Sequence, residues 1–184
     1  MQTAEEAIKK YETLGKKIFG KKLPWFSRWD ATYDHTDLEN CLKEVIEQSP
    51  LGLKEDALFE DESLRCRTFV VSTNLDKHSS KPAIFKSYNI PSSSKNGKLE
   101  SAFSGTIWQA GRATSAAPTF FKPIVINGDN YSDGATIANN PSHYAIIEAT
   151  KIWHTSDIDC IVSLGTGPEG EHTLDNATSD ILGP

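Results

Sequence analysis

The stretch "YSDGATIANNPSHYAIIEA", residues 131–149, sets the expectations for the fold. A strand ends at Asp133, Gly134 makes a turn, and Asn140 with Pro141 forms the N-cap and first-turn pair that is typical of a helix start. Because open α/β folds build their sites at strand ends, Asp133 is a candidate for chemistry. The ordinary alternative is an Asp-Gly turn whose carboxylate bonds its own backbone.

The same alternation of elements extends outward through the chain. Helical spacing of apolar residues and their flanking turns predict helices at 4–19, 35–49, 106–118 and 139–153. β-rich runs predict strands at 66–75, 82–90, 122–128, 130–134 and 159–167, the last of them buried. Strands that alternate with helices favour an α/β layer fold.

The second helix carries a start signal of its own. Thr36 is predicted as its N-cap, with Glu39 as the capping-box partner three positions on. The long helix further on, which is rich in small residues, is expected to end at Pro118. These signals predict where the helices begin and end.

Composition excludes several classes of protein. The chain of 184 residues has a formal net charge of −6, and no basic run with interleaved aromatics argues for nucleic acid. No apolar run predicts a secretory signal or a membrane span. Three scattered cysteines, Cys41, Cys66 and Cys160, are expected to be reduced and buried in a cytosolic protein. No metal-ligand spacing is present, so we expect no metal and no cofactor.

Trp25, Phe26 and Trp29 form an aromatic cluster after a helix rich in lysine. Such a cluster is typical of a partly buried satellite core. The alternative is contact with a membrane interface, which the preceding lysines, among them Lys21 and Lys22, favour on an anionic surface. Both interpretations stay open at this point.

Three blocks together resemble the patatin-like phospholipase family. They are "IWQAGRATSAAPTFFKP" at 107–123, "YSDGATIANNPSHYAIIEA" at 131–149 and "CIVSLGTG" at 160–167. With earlier pieces in the same order, the likeness covers residues 4–167. It implies a central, mostly parallel sheet flanked by helices, and a lipid acyl hydrolase with a Ser-Asp dyad. By this resemblance, Asp133 is the base of the dyad and Gly134 and Ala135 complete its motif.

The other half of the dyad is missing from the sequence. The family's serine lies in a Gly-x-Ser-x-Gly turn, and neither Ser104, Ser115 nor Ser163 has that surrounding. The family's glycine-rich oxyanion turn is not found either. The resemblance therefore implies that residues 1–167 are the C-terminal portion of a patatin-like domain without its first strands, followed by a polar tail or linker at 168–184. An unpaired edge is then expected at residues 69–72.

Several polar residues near Asp133 are weighed as supports. Arg112, Thr114 and Ser115 belong to the helix of small residues, which the resemblance makes a wall near the site; the alternative is that alanine and serine allow close helix–sheet packing. Arg112 is a candidate to hold a carboxylate by a bidentate pair and is not expected to be catalytic. Asn139 and Asn140 are expected to cap the next helix, and fixing the Asp133 loop is compatible with that role.

The expected function follows from the resemblance. The family cleaves fatty-acyl esters, so phospholipid or acylglycerol is the expected substrate, with peripheral contact at membranes or lipid droplets and further domains in a longer chain. With only the aspartate half of the dyad, the 184 residues are expected to be inactive alone. The alternative is a non-catalytic lipid- or protein-binding remnant.

Overall fold

A computed structural model of the chain describes residues 3–27, 31–61, 66–76, 81–90, 102–154 and 157–165. Helices and strands alternate along them, as the sequence predicts, and the α/β class is confirmed. The helices are α1 (Ala4–Phe19), α2 (His35–Glu47), α3 (Ile107–Thr114), α4 (Ala135–Ala138) and α5 (Ser142–Trp153), with one 3-10 turn at Trp25–Ser27. The strands are β1 (Phe69–Asn74), β2 (Lys81–Lys86), β3 (Ile124–Ile126) and β4 (Asp129–Asp133).

The prediction of a mostly parallel sheet is wrong for the described residues. Their four strands lie in the order β2-β1-β4-β3, and every neighbouring pair is antiparallel. The connection between β3 and β4 explains part of this difference. Asn127 and Gly128 have φ of 53° and 90°, the left-handed conformations of a tight two-residue hairpin, which forces its two strands to run in opposite directions.

The prediction of a buried strand at 159–167 is also wrong where the structure describes it. Residues 157–165 have no strand assignment and pair with none of the four described strands. Leu164 is 91% exposed, and Ile161 and Val162 are exposed as well. An apolar run has β propensity, but it becomes a buried strand only beside a neighbour that accepts its hydrogen bonds. Residues 166–184, including the predicted tail, lie outside the described residues.

Local signals place most of the helix ends. Thr3 caps α1 with Glu6 as its partner, and Thr106 caps α3 with Gln109 in the same arrangement. The prediction of Thr36 as the cap of α2 is wrong by two residues. Asp34 caps this helix, because its carboxylate accepts the Thr36 N–H at 2.8 Å. Helix α3 ends at Thr114, before Pro118, and Ser115 follows as its C-cap.

The core has two parts, and α3 links them. One cluster joins Phe85 of β2 and two residues of β3 to Ala110 and Ala113 of α3. The other surrounds Tyr33 and Phe121 beside α1 and α2. The small side chains of α3 let the helix approach β1 and β4 closely, which fixes the end of β4 against it.

Several residues expected inside lie on the surface. Cys41 is buried, but Cys66 and Cys160 are exposed, and all three are free thiols. Trp25 and Phe26 are exposed, which contradicts the prediction of a satellite core. Trp29 lies outside the described residues. Within the described ranges, no helix is both long and apolar enough to cross a bilayer.

Candidate functional site around Asp133

Asp133 is the last residue of β4, and hydrogen bonds hold its backbone from several sides. It lies opposite Ser72 of β1 in the sheet, and its N–H donates to the carbonyl of Ala116 at 3.0 Å. Its own carbonyl accepts from Thr73 Oγ1 at 2.8 Å and from Thr136 Oγ1 at 2.5 Å. The aspartate is therefore fixed by the sheet, by the segment after α3 and by α4 together.

The Asp133 carboxylate uses one oxygen in a local turn. Its Oδ1 accepts the Ala135 N–H at 2.7 Å, which is the turn interaction predicted as the ordinary alternative. Within the described ranges, no hydroxyl or imidazole donates to this carboxylate. The turn fixes the orientation of the group and leaves Oδ2 available to a further donor.

Gly134 is required by close packing and not by its backbone angles. Its φ of −66° is an ordinary right-handed value. A Cβ at this position would lie 2.1 Å from the Val71 carbonyl oxygen and 2.6 Å from its carbon. The glycine therefore lets the start of α4 press against the backbone of β1.

A cavity of about 290 Å³ opens beside Asp133. Its walls are Phe69–Val71 of β1, Thr114 of α3, the motif at residues 133–135, and the end of α4 with Asn139. A larger open groove of about 580 Å³ runs between α1 and α2, and none of the predicted site residues lines it. The smaller cavity is therefore the one that joins apolar walls to the predicted site residues.

The expected unpaired edge of β1 is shorter than predicted. Strand β2 pairs with all of β1, whereas β4 pairs only with Ser72–Asn74. Phe69–Val71 therefore has no strand on its second side among the described residues. Thr114 Oγ1 donates to the Val71 carbonyl at 2.6 Å and covers part of this edge. The remaining edge forms one wall of the cavity.

Arg112 is not brought to the cavity. It is fully buried, with Nε 3.3 Å from Glu39 Oε1 and Nη2 donating to the Lys122 carbonyl at 2.5 Å. Its guanidinium also lies over the ring of Phe121 at 5.8 Å. Burial lowers the pKa of Arg112, and the charge of Glu39 opposes that shift. Arg112 thus forms an ion pair with the Glu39 carboxylate and links α3 to α2.

Asn139 and Asn140 make different contacts. Asn139 lines the cavity. The prediction of Asn140 as the N-cap of α5 is wrong by one residue, because Pro141 occupies that position and α5 begins at Ser142. Asn140 Oδ1 accepts the Ser142 N–H at 3.0 Å and so still bonds the first residue of the helix. The Asn140 amide also donates to Ser163 Oγ at 3.4 Å. Ser163 therefore contacts Asn140 and not the aspartate.

Residues 4–146 match the family model described as patatin-like phospholipase. The chain belongs to the patatin-like phospholipase family. It is 30% identical over 217 residues to phospholipase A I of Arabidopsis thaliana. This alignment covers 91% of this chain and 16% of that protein. It is also 30% identical over 187 residues to calcium-independent phospholipase A2-gamma of Oryctolagus cuniculus, covering 97% of this chain and 22% of that protein.

A more distant family member has a different name. Probable inactive patatin-like protein 9 of Arabidopsis thaliana is 27% identical over 184 residues, covering 91% of this chain and 43% of that protein. The chain therefore spans less than half the length of each of these three relatives. Family membership therefore concerns only the segment that each relative shares with this chain.

Some contacts of this patatin-like site are not apparent from the motif alone. Thr73 and Thr136 hold the carbonyl of Asp133, and Thr114 holds the carbonyl of Val71. One of them had a local signal, because a threonine three residues after an aspartate often bonds back to its carbonyl. The other two act across 43 and 60 residues of chain, which no local pattern reveals. Within the described ranges, no group of three or more acidic, histidine or cysteine side chains could hold a metal ion.

Proposed function

We propose that this chain provides the aspartate half of a lipid acyl hydrolase site. Asp133 acts as general base for a serine that lies on a segment outside these 184 residues, and the substrate is the acyl ester of a phospholipid or an acylglycerol. The phospholipase names of the family relatives support the class of reaction. Such an enzyme acts at the surface of a membrane or lipid droplet.

The observation that carries this proposal is the arrangement of the Asp133 carboxylate. Its backbone is fixed by three neighbouring segments, one oxygen is tied to Ala135, and the group lies on a cavity with apolar walls. A base must be held still and must keep an acceptor free for the proton that it removes. Oδ2 is such an acceptor.

Asp133 takes part in two proton transfers in each half of the reaction, because it first accepts a proton and then gives it up. The serine hydroxyl gives its proton to the carboxylate as its oxygen bonds the ester carbonyl carbon. The bond from that carbon to the alcohol oxygen then breaks, and the alcohol takes the proton. Water repeats the sequence on the acyl-serine, giving up one proton through Asp133 and releasing the fatty acid and the free serine.

A first experiment reads the transcript upstream of Met1 and assays the protein that it encodes. We expect an in-frame Gly-x-Ser-x-Gly turn upstream and hydrolysis of phospholipid by the longer protein. Asp133→Asn should then lower kcat by about 10⁴-fold, as expected when a serine loses its base. Asp129→Asn, on the same strand and outside the cavity, is the matched control and should retain activity.

The 184-residue chain gives a second readout. It should not react with a fluorophosphonate probe, because none of its serines lies in the required turn. Stoichiometric labelling of one serine in this chain would contradict the proposal, since the nucleophile would then be present. Equal activity of the Asp133→Asn and Asp129→Asn proteins would contradict the role of Asp133.

A non-catalytic binding module is the second candidate. Two observations favour it: the Asp133 carboxylate bonds a backbone N–H, as in an ordinary turn, and one relative is named as probably inactive. A transcript that begins at Met1 would support this candidate, and the cavity beside Asp133 would then be tested by binding of fatty acid to the wild-type chain.

A further inference from the structure

Two large aromatic side chains project together from the loop after α1. Trp25 is 80% exposed and Phe26 is 63% exposed, and their rings meet edge to face at 6.1 Å. We call this pair the aromatic tip. Single exposed apolar residues are ordinary, but two adjacent aromatic rings leave a contiguous apolar area in water.

The loop that carries the aromatic tip is anchored to the core. The Leu23 N–H donates to the Thr32 carbonyl at 2.8 Å. The N–H groups of Thr32 and Tyr33 then donate to the carbonyls of Thr119 and Phe120 at 2.8 and 3.0 Å. Tyr33 is buried in the second core cluster. Leu23, two residues before the tip, is therefore tied to a segment of the core, which lowers the entropy cost of inserting the tip into a partner.

The approach to the aromatic tip is strongly basic. Residues 9–22 contain six lysines and a single glutamate, although the whole chain is acidic. All six lysine side chains are exposed. Lys17 forms an ion pair with Glu44, whereas Lys21 and Lys22 directly precede the tip. Two exposed lysines next to two exposed aromatic rings present both features that complement an anionic partner, a positive charge and an apolar surface.

We propose that the aromatic tip, with Lys21 and Lys22, docks this protein on an anionic phospholipid bilayer. Tryptophan favours the interface of a membrane, where an apolar ring and a polar N–H are both accommodated. Lysines beside the tip bind the negative surface of the same bilayer. The proposal goes beyond hydrolysis and does not require Asp133 to be catalytic.

Flotation of the 184-residue chain with lipid vesicles tests this proposal. One set of vesicles contains phosphatidylcholine, and the other contains phosphatidylserine in addition. We expect binding to the anionic vesicles that weakens as salt is added, because exposed charges are screened. The double variant Trp25→Ala/Phe26→Ala should lower the partition coefficient on both sets by about 10-fold or more, since two apolar side chains leave the interface.

The contributions of the lysines and of the aromatic rings to binding are distinguished by how each depends on the lipid. Lys21→Gln/Lys22→Gln should lower binding by roughly 10- to 30-fold on anionic vesicles and little on neutral ones, because each basic residue acts through the surface potential. The matched controls are Trp153→Ala, which removes an aromatic ring that is 62% exposed on α5, and Lys54→Gln/Lys81→Gln, which removes two exposed lysines elsewhere. Both controls should bind as the wild type does.

Two results would overturn the proposal. One is a wild-type chain that floats with neither set of vesicles, which would assign the tip to a protein partner. The other is a loss on Trp153→Ala or Lys54→Gln/Lys81→Gln equal to that of the tip variants. Thermal melts confirm that each exposed substitution leaves the fold unchanged. Asp133→Asn should float as the wild type does, so this proposal and the proposed function can fail independently.

Discussion

The chain before Pro141 and the chain after it are held to the sheet by different forces. Helix α3 buries Ala110, Arg112 and Ala113 and packs on α2, β1 and β4. Helix α5 buries Glu148 alone, and its Ile146, Ile147 and Trp153 are exposed. Helix α3 is attached to the rest of the molecule by residues buried along one side, whereas α5 presents much of its apolar surface to water.

A buried ionic cluster attaches α5 to the sheet. Glu148 is 1% exposed, and its Oε2 lies 3.0 Å from Lys86 Nζ and accepts from the Tyr88 hydroxyl at 3.1 Å. Its Oε1 lies 3.2 Å from Lys151 Nζ on the same helix. Because Lys86 belongs to β2, one carboxylate connects α5 to the edge of the sheet.

The two parts of the chain open with different ease. Free energies of local opening follow the apolar contacts that a segment makes, so α5 and residues 157–165 lie at the low end and α3 at the high end. The candidate site falls near the boundary, because Asp133 belongs to the well-packed part and Asn140 directly precedes Pro141. Contacts of α5 can therefore change without disturbing the backbone of Asp133.

The largest expected effect breaks the attachment of α5. Glu148→Ala removes the carboxylate that Lys86 and Tyr88 bind, and leaves a buried lysine to be compensated. Loss of one partner of a buried pair costs about 3–5 kcal/mol. We expect this loss to appear as faster amide hydrogen exchange in α5, while amides of α3 retain their protection.

A conservative variant and a surface control accompany this measurement. Glu148→Gln retains an acceptor for the Tyr88 hydroxyl and removes the charge, so its effect should be smaller than that of Glu148→Ala. Glu47→Ala, at an exposed position at the end of α2, should change exchange in neither helix. If α3 and α5 lost protection together, the proposed difference between the two parts would be wrong.

A second prediction concerns the packed side of the boundary. Gly134→Ala places a methyl group against the Val71 carbonyl, so β1 and α4 must separate. We expect a global destabilisation of about 1–3 kcal/mol in urea unfolding, the usual cost of overpacking. Gly15→Ala is the matched control, because nothing lies within 4 Å of the added carbon and alanine favours a helix by about 1 kcal/mol. Opposite signs are expected, and equal effects would contradict the packing argument.

Local signals in the sequence predicted elements whose causes are local. The capping box that predicts a helix near residue 36, the strands predicted at 122–128 and 130–134, and the end of the second strand near Asp133 all depend on neighbouring residues. The patatin-like resemblance led to the correct family, whose match over residues 4–146 contains the block at 107–123 and most of the block at 131–149. Placement of Asp133 at a strand end was therefore predictable, whereas its role remains a prediction.

The errors share a dependence on distant partners. The segment with Ile161 and Leu164 has the propensity of a buried strand but no neighbour among the described strands. No local pattern predicts the burial of Glu148, which depends on Lys86 and Tyr88, both far away in sequence. Trp25 has the side chain of a core residue, yet its loop projects from the surface.

The smallest expected effect tests the support beneath α3. Helix α2 packs on α3, and Asp34 caps α2 by accepting the Thr36 N–H. This hydrogen bond lowers the pKa of the Asp34 carboxyl below its ordinary value. Asp34→Ala should cost about 1 kcal/mol at neutral pH, as loss of a cap does. Protection of α5 should be unchanged, because α5 is attached through Glu148.

The pH dependence gives this last prediction a sign. A carboxyl whose pKa is lower in the folded chain stabilises it above the unfolded pKa, and that contribution is lost as pH falls through the folded pKa. The difference in unfolding free energy between the wild type and Asp34→Ala should therefore shrink in acid. Asp34→Asn keeps an acceptor without the charge, so its stability relative to Asp34→Ala should not change over the same range. A wild-type advantage that persists at low pH would show that the cap does not depend on the carboxylate charge.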